Sequence, residues 1–308
     1  RRDHVGVYGN QAGVTPFIDS LAAKATVFDR AYAQSSWTNP SVASMFTSRY
    51  QSQHHIVSFG SLLSEDESTL AEVLNENGYA TGGFTANVLI QKVRGFAQGF
   101  DEFQSIGPVN DPGEHTPKGV AEDVNKKALG WLDGLDDPSQ PVFLYVQYME
   151  THYPYVLPDR LLSQAFPNQP LPDLEAIHNA LFPKLKELTA EERQLAKSRP
   201  VSSARLRKEK AYGALSLFTN LLDLPLAKKL YRLAVMDLDE QLQRLFQGLE
   251  ERGFLRDAIV VFTADYGEEF SEHGWWGHGM SLYNEEIRVP LLIGKQNQVA
   301  RQDVTENV

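Results

Sequence analysis

An acidic residue at the end of an apolar run is the most chemically suggestive feature of this sequence. Asp265 follows the β-type run 260–262, and a Gly-rich stretch with three glutamates and the histidines His273 and His278 comes next. In open α/β sheets, ligands sit beyond the carboxyl ends of the strands, so a carboxylate there faces a crevice. Carboxylates and imidazoles together are typical of metal sites and of sites for phosphate or sulfate esters. The alternative interpretation is a helix-capping Asp followed by a solvated loop.

Thr38 is a second candidate, because it lies two residues before Pro40, where a helix is expected to begin. Exposed backbone N–H groups and the helix dipole favour an anion at such an end. The Thr38 hydroxyl is therefore a candidate nucleophile, and an ordinary helix cap is the alternative. A hydroxyl nucleophile needs a metal or a base to lower its proton affinity, and neither lies beside Thr38 in the sequence.

Two further polar residues follow apolar runs. His152 comes after the predicted strand 141–148, where an imidazole is suited to proton transfer or to contact with an ester oxygen. Asn87 follows the run 79–84, and its amide is a candidate donor to a substrate oxygen. For each residue alone, a hydrogen bond within its own loop is the simpler explanation.

Composition narrows the class of protein. A chain of 308 residues with 42% hydrophobic and 22% charged residues is long enough to bury a sizeable core. The net charge of −11 argues against a nucleic-acid partner, but it permits a small anionic ester because a bound cation inverts the local field. The chain has no cysteine, which excludes disulfides, thiolate zinc sites and a Cys nucleophile. The sequence contains no run of 18 apolar residues, so it does not indicate a membrane span.

Helical patterns alternate with short apolar runs along the chain, which predicts an α/β fold with a doubly wound, mostly parallel sheet flanked by helices. The first helix has Thr15 as its cap and Pro16 at its first position. The predicted helices span 15–24, 41–47, 69–75, 121–132 and 230–249, and the predicted strands span 79–84, 141–148 and 258–262. The segment 159–228 is rich in Pro, Lys, Glu and Leu and predicts a helical insertion, either a lid near the site or a surface excursion.

Seven segments, taken together and in order, resemble the sulfatase branch of the alkaline phosphatase superfamily, and the resemblance covers essentially the whole chain. They are Asp3-His4-Val5-Gly6-Val7-Tyr8-Gly9, Thr15-Pro16-Phe17-Ile18-Asp19-Ser20-Leu21-Ala22, Ala31-Tyr32-Ala33-Gln34, Thr38-Asn39-Pro40-Ser41 with Ala43-Ser44-Met45-Phe46-Thr47-Ser48-Arg49-Tyr50, His152-Tyr153-Pro154-Tyr155, Phe262-Thr263-Ala264-Asp265-Tyr266-Gly267-Glu268, and Gly277-His278-Gly279 through Tyr283 to Arg288-Val289-Pro290-Leu291.

This resemblance implies a metal-dependent hydrolase of sulfate, phosphate or phosphonate esters. A divalent cation (Ca, Mg, Mn or Zn) would activate the nucleophile, and basic side chains would stabilise the leaving oxygen. Carried onto this chain, Thr38 takes the nucleophile position and Asp265 that of a metal ligand. His152 contacts the ester oxygens, and His278 replaces the Lys that many sulfatases place there. Since Thr cannot form formylglycine, that chemistry is not expected.

Two departures from the family pattern keep alternatives open. The family's first strand, with its metal-binding Asp residues, is expected before Arg1, so the chain resembles a domain that lacks this strand and a C-terminal part. Tyr266 stands where the family usually has a His or Asn ligand, and a phenol is a poor neutral ligand for a hard cation. One alternative is therefore a catalytically inactive sulfatase-fold binding protein. Because Thr38 is similar to the nucleophile of phosphoethanolamine and phosphoglycerol transferases, such a transferase is another.

Overall fold

The computed structural model of the chain describes residues 1–106, 121–137, 139–155, 157–170, 174–181, 183, 187, 189–190, 221–295 and 300–308. Its α-helices are α1 Pro16–Ala22, α2 Thr38–Thr47, α3 Gln51–His54, α4 Leu70–Glu76, α5 Ala121–Asp133, α6 Asp159–Ala165, α7 Leu174–Leu181, α8 Leu224–Glu251 and α9 Asn284–Ile287. Its strands are β1 Ala25–Tyr32, β2 Ala80–Thr85, β3 Glu102–Ser105, β4 Val142–Gln147, β5 Ile259–Thr263, β6 Glu269–Phe270, β7 Trp276–Gly277, β8 Arg288–Lys295 and β9 Gln302–Asn307.

The longer strands form two sheets. One has the order β3-β2-β4 with every pairing parallel, and the other has the order β5-β8-β1-β9, in which β8 is antiparallel to both of its neighbours. In the described part of the chain, β4 and β5 each end their sheet, so each has one edge without a strand partner. The architecture is α/β, as predicted, with a mostly parallel sheet and flanking helices.

Helices cover both faces of the parallel sheet. On one face, the buried Phe46 of α2 packs against Phe100 and against Tyr145 of β4. On the other face, Phe84 of β2 is fully buried against α5, and its ring lies 5.9 Å from that of Trp131. Because side chains alternate between the two faces of a strand and both faces are covered, the polar groups of β2 and β4 that reach the site lie at the ends of these strands.

The long helix α8 contacts both sheets. Its buried Leu242 belongs to the core beneath β1 and β8, while its Leu245 belongs to the core beneath β4. Tyr148, directly after β4, packs against both of these cores. One helix thus packs against both sheets, next to β4 and β5, whose outer edges have no strand partner among the described residues.

The predicted helices and strands are confirmed with shifted ends. Helix α2 begins at Thr38 rather than at residue 41, because Trp37 is extended (φ −155°, ψ 164°) and acts as the N-cap. Pro40 is tolerated as the third helical residue, since the first-turn N–H groups have no partner within the helix. Helix α8 also begins earlier than predicted, at Leu224, where the Asp223 side chain accepts a hydrogen bond from the backbone N–H of Leu226.

The predicted helical insertion at 159–228 lies largely outside the described residues. Within it, the structure describes α6, α7 and the beginning of α8. The buried Leu161 and Ile177 of these two short helices pack against α8. Among the described residues, no helix is both long enough and apolar enough to cross a membrane.

Candidate active site

The beginning of helix α2 places the Thr38 hydroxyl at the centre of the candidate site. Thr38 Oγ1 lies 3.1 Å from the phenol oxygen of Tyr266, and the Asn87 Nδ2 donates to it over 3.4 Å. Both Thr38 and Asn87 are buried, with exposures of 4% and 2%. Asn87 is itself held by its backbone N–H, which donates to Thr85 Oγ1. The hydroxyl thus lies at a helix N-terminus between two polar groups from other elements.

Asp265 follows β5 and is joined to the end of β4. Its Oδ2 accepts a hydrogen bond of 3.2 Å from Gln147 Nε2, and the Thr85 hydroxyl donates to Gln147 Oε1 over 2.8 Å. The Ser41 hydroxyl of α2 donates to the Asp265 carbonyl oxygen over 2.5 Å. Burial raises the pKa of Asp265 to about 6, and nearby His278 opposes this rise. This carboxylate therefore holds its proton more tightly than an exposed Asp does.

Two histidines stand on the other side of Tyr266. The ring centroid of His278 is 4.5 Å from that of Tyr266 and 4.9 Å from that of His152. The His278 Nδ1 lies 3.0 Å from an oxygen of Glu268, a buried carboxylate. The His152 Nδ1 lies 2.5 Å from the Tyr153 carbonyl oxygen, which can only accept, so Nδ1 carries a proton. Each imidazole is positioned by a contact of its Nδ1 nitrogen.

Helix α9 is hydrogen-bonded to two loops of the site, the one after Asp265 and the one after His278. The backbone N–H of Gly267 donates to the Glu286 carbonyl over 2.6 Å, and a Cβ on Gly267 would come within 2.0 Å of the Glu285 carbonyl oxygen. The buried Glu286 carboxylate accepts from the backbone N–H of Gly279 at 2.7 Å and also from Ser281. One short helix therefore positions the loop after Asp265 and the loop after His278.

The donor set does not make a complete metal site. Among the described residues, no group of three or more His, Asp or Glu side chains is placed to hold a metal ion. The Asp265 side chain accepts a hydrogen bond from Gln147, and the Glu268 carboxylate lies within hydrogen-bonding distance of His278 Nδ1. The residues described here thus supply at most part of a cation site.

The sequence-predicted residues converge. Thr38, Asn87, Asp265, His152 and His278 are linked by the contacts above, whereas His273 is not part of the cluster. The ring of His273 stacks on Tyr283 at 3.5 Å, and its Nε2 lies 3.2 Å from Glu285.

Two residues of the site were missed from the sequence. Gln147 is the polar residue that ends β4, and a strand-end position of that kind is the signal that could have found it. Glu268 lies three residues after Asp265, but nothing in the sequence pairs it with a histidine ten residues later. Sequence spacing alone does not reveal contacts across a loop.

The family model described as Sulfatase matches residues 1–307, so the chain belongs to the sulfatase family. Among curated proteins, it is 26% identical over 339 residues to an N-acetylglucosamine-6-O-sulfatase of Bacteroides thetaiotaomicron, a match that covers 93% of the chain and 59% of that protein. The chain thus spans less than two thirds of the length of this relative.

Solved structures share the fold. Phosphonate monoester hydrolase of Agrobacterium radiobacter superposes with a TM-score of 0.69 at 21% identity, covering 99% of this chain and 68% of that one. The C-terminal periplasmic domain of EcEptC from Escherichia coli, solved in complex with Zn, superposes with a TM-score of 0.64 at 15% identity, covering 97% and 70%. Divalent metals are used by members of this family, and a zinc complex is among these neighbours.

Proposed function

We propose that this protein hydrolyses sulfate, phosphate or phosphonate esters with the Thr38 hydroxyl as the nucleophile. The observation that carries the proposal is the position of Thr38 Oγ1, at the N-terminus of α2 and within hydrogen-bonding distance of Tyr266 and Asn87. An ester anion placed there meets the helix N-terminus, whose N–H groups and dipole stabilise negative charge. The similarity to a curated sulfatase and to the fold of a phosphonate monoester hydrolase supports the same class of reaction.

In the proposed reaction, the Thr38 hydroxyl gives up its proton to solvent and Thr38 Oγ1 bonds to the sulfur or phosphorus, while the bond from that atom to the alcohol oxygen breaks. The electron pair stays on the alcohol oxygen, which takes up a proton, and water then releases the group from Thr38. The Asn87 amide, a hydrogen-bond donor beside Thr38, stabilises charge on the transferred group.

His152 and His278 are proposed to contact the ester and leaving oxygens. The Glu268 carboxylate lies 3.0 Å from His278 Nδ1 and orients the ring, and Nε2 is the nitrogen proposed to deliver a proton to the departing oxygen. The adjacent His152 ring lies 4.9 Å away, so the two imidazoles border the same small space. Glu268 acts through His278 and is a positioning residue.

We propose Asp265 as one ligand of a divalent cation, either Ca, Mg, Mn or Zn. Because the described residues do not complete a cation site, the other ligands would come from elsewhere in the protein. An additional strand between β4 and β5 would supply them, because these two edges have no strand partner among the described residues and Gln147 and Asp265 meet at the same end of both strands. Calorimetric titration with each metal tests this proposal: binding that is lost in Asp265→Ala supports it, and binding unchanged by Asp265→Ala refutes the assignment of Asp265.

The test of the reaction compares two threonines of the same helix. Thr38→Val and Thr47→Val each remove one buried hydroxyl from α2, but Thr47 bonds only within its own helix and its adjoining turn. Initial rates with 4-nitrophenyl sulfate, 4-nitrophenyl phosphate and a phenylphosphonate monoester, with and without added divalent metal, are expected to fall to background in Thr38→Val alone. Equal activity of the two variants would refute Thr38 as the nucleophile.

A catalytically inactive binding protein is the second candidate, and the incomplete set of metal ligands among the described residues favours it. It predicts that sulfate or phosphate binds at the N-terminus of α2 without turnover of any ester in the panel. Anion binding that is identical in the wild type and in Thr38→Val, together with no hydrolysis under any metal condition, would support this candidate over the hydrolase.

A further inference from the structure

A cleft of about 600 Å³ opens next to the candidate site. It is lined by the segments 34–37, 50–52 and 279–282. The first of these leads directly into Thr38, and the third follows directly after His278. A Cβ on Gly279 would lie 3.5 Å from the Trp37 Cβ, so the two walls touch each other beside the proposed nucleophile. The cleft, called the side cleft here, is therefore placed to hold whatever is attached to the ester group.

The side cleft is lined without any charged side chain among the described residues. Its eleven lining residues are serines, glutamines, apolar residues, aromatic residues and one glycine. The nearest cation in the sequence, Arg49, is 3.3 Å from Glu67 and is paired there. Carboxylate and sulfate groups are recognised in proteins mainly by Arg and Lys, which form charge-assisted hydrogen bonds. A second anionic group bound in the side cleft would find no such partner among the described lining residues.

The groups that do line the side cleft suit an uncharged ring with hydroxyl groups. Trp37 offers an aromatic surface and is itself supported by the Phe59 ring at 4.9 Å. Met280 and Leu282 are 47% and 72% exposed, so apolar surface is available at the mouth. The serine hydroxyls and glutamine amides of the lining both donate and accept hydrogen bonds, as a polyhydroxy ring requires. Apolar surface with a few polar groups is the usual composition of a ligand pocket.

Two contacts hold the walls in place before any ligand binds. Gln51 Nε2 donates to the Gln34 carbonyl over 2.9 Å, which ties the second wall to the first. The Glu286 carboxylate accepts from the backbone N–H groups of Gly279 and Met280, which fixes the third wall. A cleft with fixed walls loses less entropy on binding than a mobile one does.

We propose that the side cleft binds the alcohol part of the ester, and that it selects an uncharged, hydroxyl-bearing ring over an anionic one. This inference rests on the proposed function for its orientation, because the ester end of the substrate must lie at Thr38. The composition of the lining would then decide which sulfated or phosphorylated sugars are substrates: those whose ring carries no further charge.

Binding of the alcohols alone tests the selectivity without any turnover. Ligand-observed NMR titrations with N-acetylglucosamine and with glucuronate are expected to show at least about tenfold weaker binding of glucuronate, the difference that one unpaired charge costs. Ser52→Arg adds a cation to the exposed edge of the side cleft and is expected to reduce this difference. The matched control, Gln243→Arg on the exposed face of α8, is expected to leave the difference unchanged.

The outcomes separate this inference from the proposed function. Selective binding of N-acetylglucosamine that responds to Ser52→Arg supports the selectivity, even if no ester is hydrolysed. Equal or tighter binding of glucuronate overturns it. So does ester hydrolysis that proceeds equally well with neutral and anionic sugar leaving groups, a result that would leave the hydrolase function intact.

Discussion

The charged Asp265 side chain is predicted to lower the free energy of unfolding at neutral pH. Replacing it by Asn is therefore predicted to stabilise the metal-free chain. Burial raises the pKa of this carboxyl from 3.8 to about 6. The folded protein therefore binds the proton more tightly than the unfolded chain does. Between these two pKa values the unfolding free energy falls as the pH rises, and above about pH 6 the whole penalty is present.

The size of the effect follows from that change in pKa. A tenfold change in proton affinity is worth about 1.4 kcal/mol, so the rise to about 6 corresponds to at most about 3 kcal/mol. The Asp265→Asn side chain keeps an oxygen that can accept from Gln147 Nε2, and it carries no charge to bury. We expect a gain of about 1–3 kcal/mol at about pH 8 and almost none at about pH 4, where the carboxyl is protonated in the folded protein.

Urea unfolding in the presence of EDTA measures this gain, since a bound cation would reverse the sign of the charge effect. Asp133→Asn is the contrasting control: the pKa of the exposed Asp133 is lowered by its hydrogen bonds to Arg252, so this change is expected to reduce stability at about pH 8. The reasoning would be refuted if Asp265→Asn were destabilising at about pH 8, or if its effect were the same at both pH values.

Three further changes test the packing around the site. Glu286→Ala removes the acceptor for three backbone N–H groups and is expected to cost about 2 kcal/mol, with faster hydrogen exchange at Gly279; unchanged exchange would contradict the role of this carboxylate. Gly267→Ala places a Cβ within 2.0 Å of a main-chain oxygen, so urea unfolding should show a loss of about 2–3 kcal/mol, and a neutral result would argue against the close approach. Phe84→Ala empties a fully buried position and should lower the unfolding free energy by about 3–5 kcal/mol, whereas Val93→Ala, 79% exposed, should leave it nearly unchanged; similar effects of the two would contradict the described core.

Much of the fold could be predicted from the sequence because its signals are local. Thr69 caps α4 and exchanges hydrogen bonds with Glu72, the pattern that a Thr followed three residues later by a Glu indicates. Pro16 marks the beginning of α1 for a similar local reason. The positions of β4 and β5 at the ends of their sheets, as seen in the described part of the chain, could not be predicted this way, because strand order depends on contacts between distant segments.

The candidate site was predictable only in part for the same reason. Thr38, His152 and Asp265 each follow or open a regular element, so their positions at one end of the sheet follow from the α/β pattern. The hydrogen bond from Gln147 to Asp265 joins residues that are 118 positions apart. The hydrogen bond that Glu286 accepts from Gly279 joins residues that are seven positions apart. The first separation is far longer than any helix or strand period, and the second contact closes a loop outside regular secondary structure, so no periodic pattern in the sequence reports either one.

The most direct test of the central claim is to find the covalent intermediate. Rapid acid quenching during turnover of an aryl sulfate or aryl phosphate, followed by peptide mass spectrometry, is expected to show one added sulfuryl or phosphoryl group on Thr38. Turnover that persists in Thr38→Val, or a label on another residue, would contradict the account.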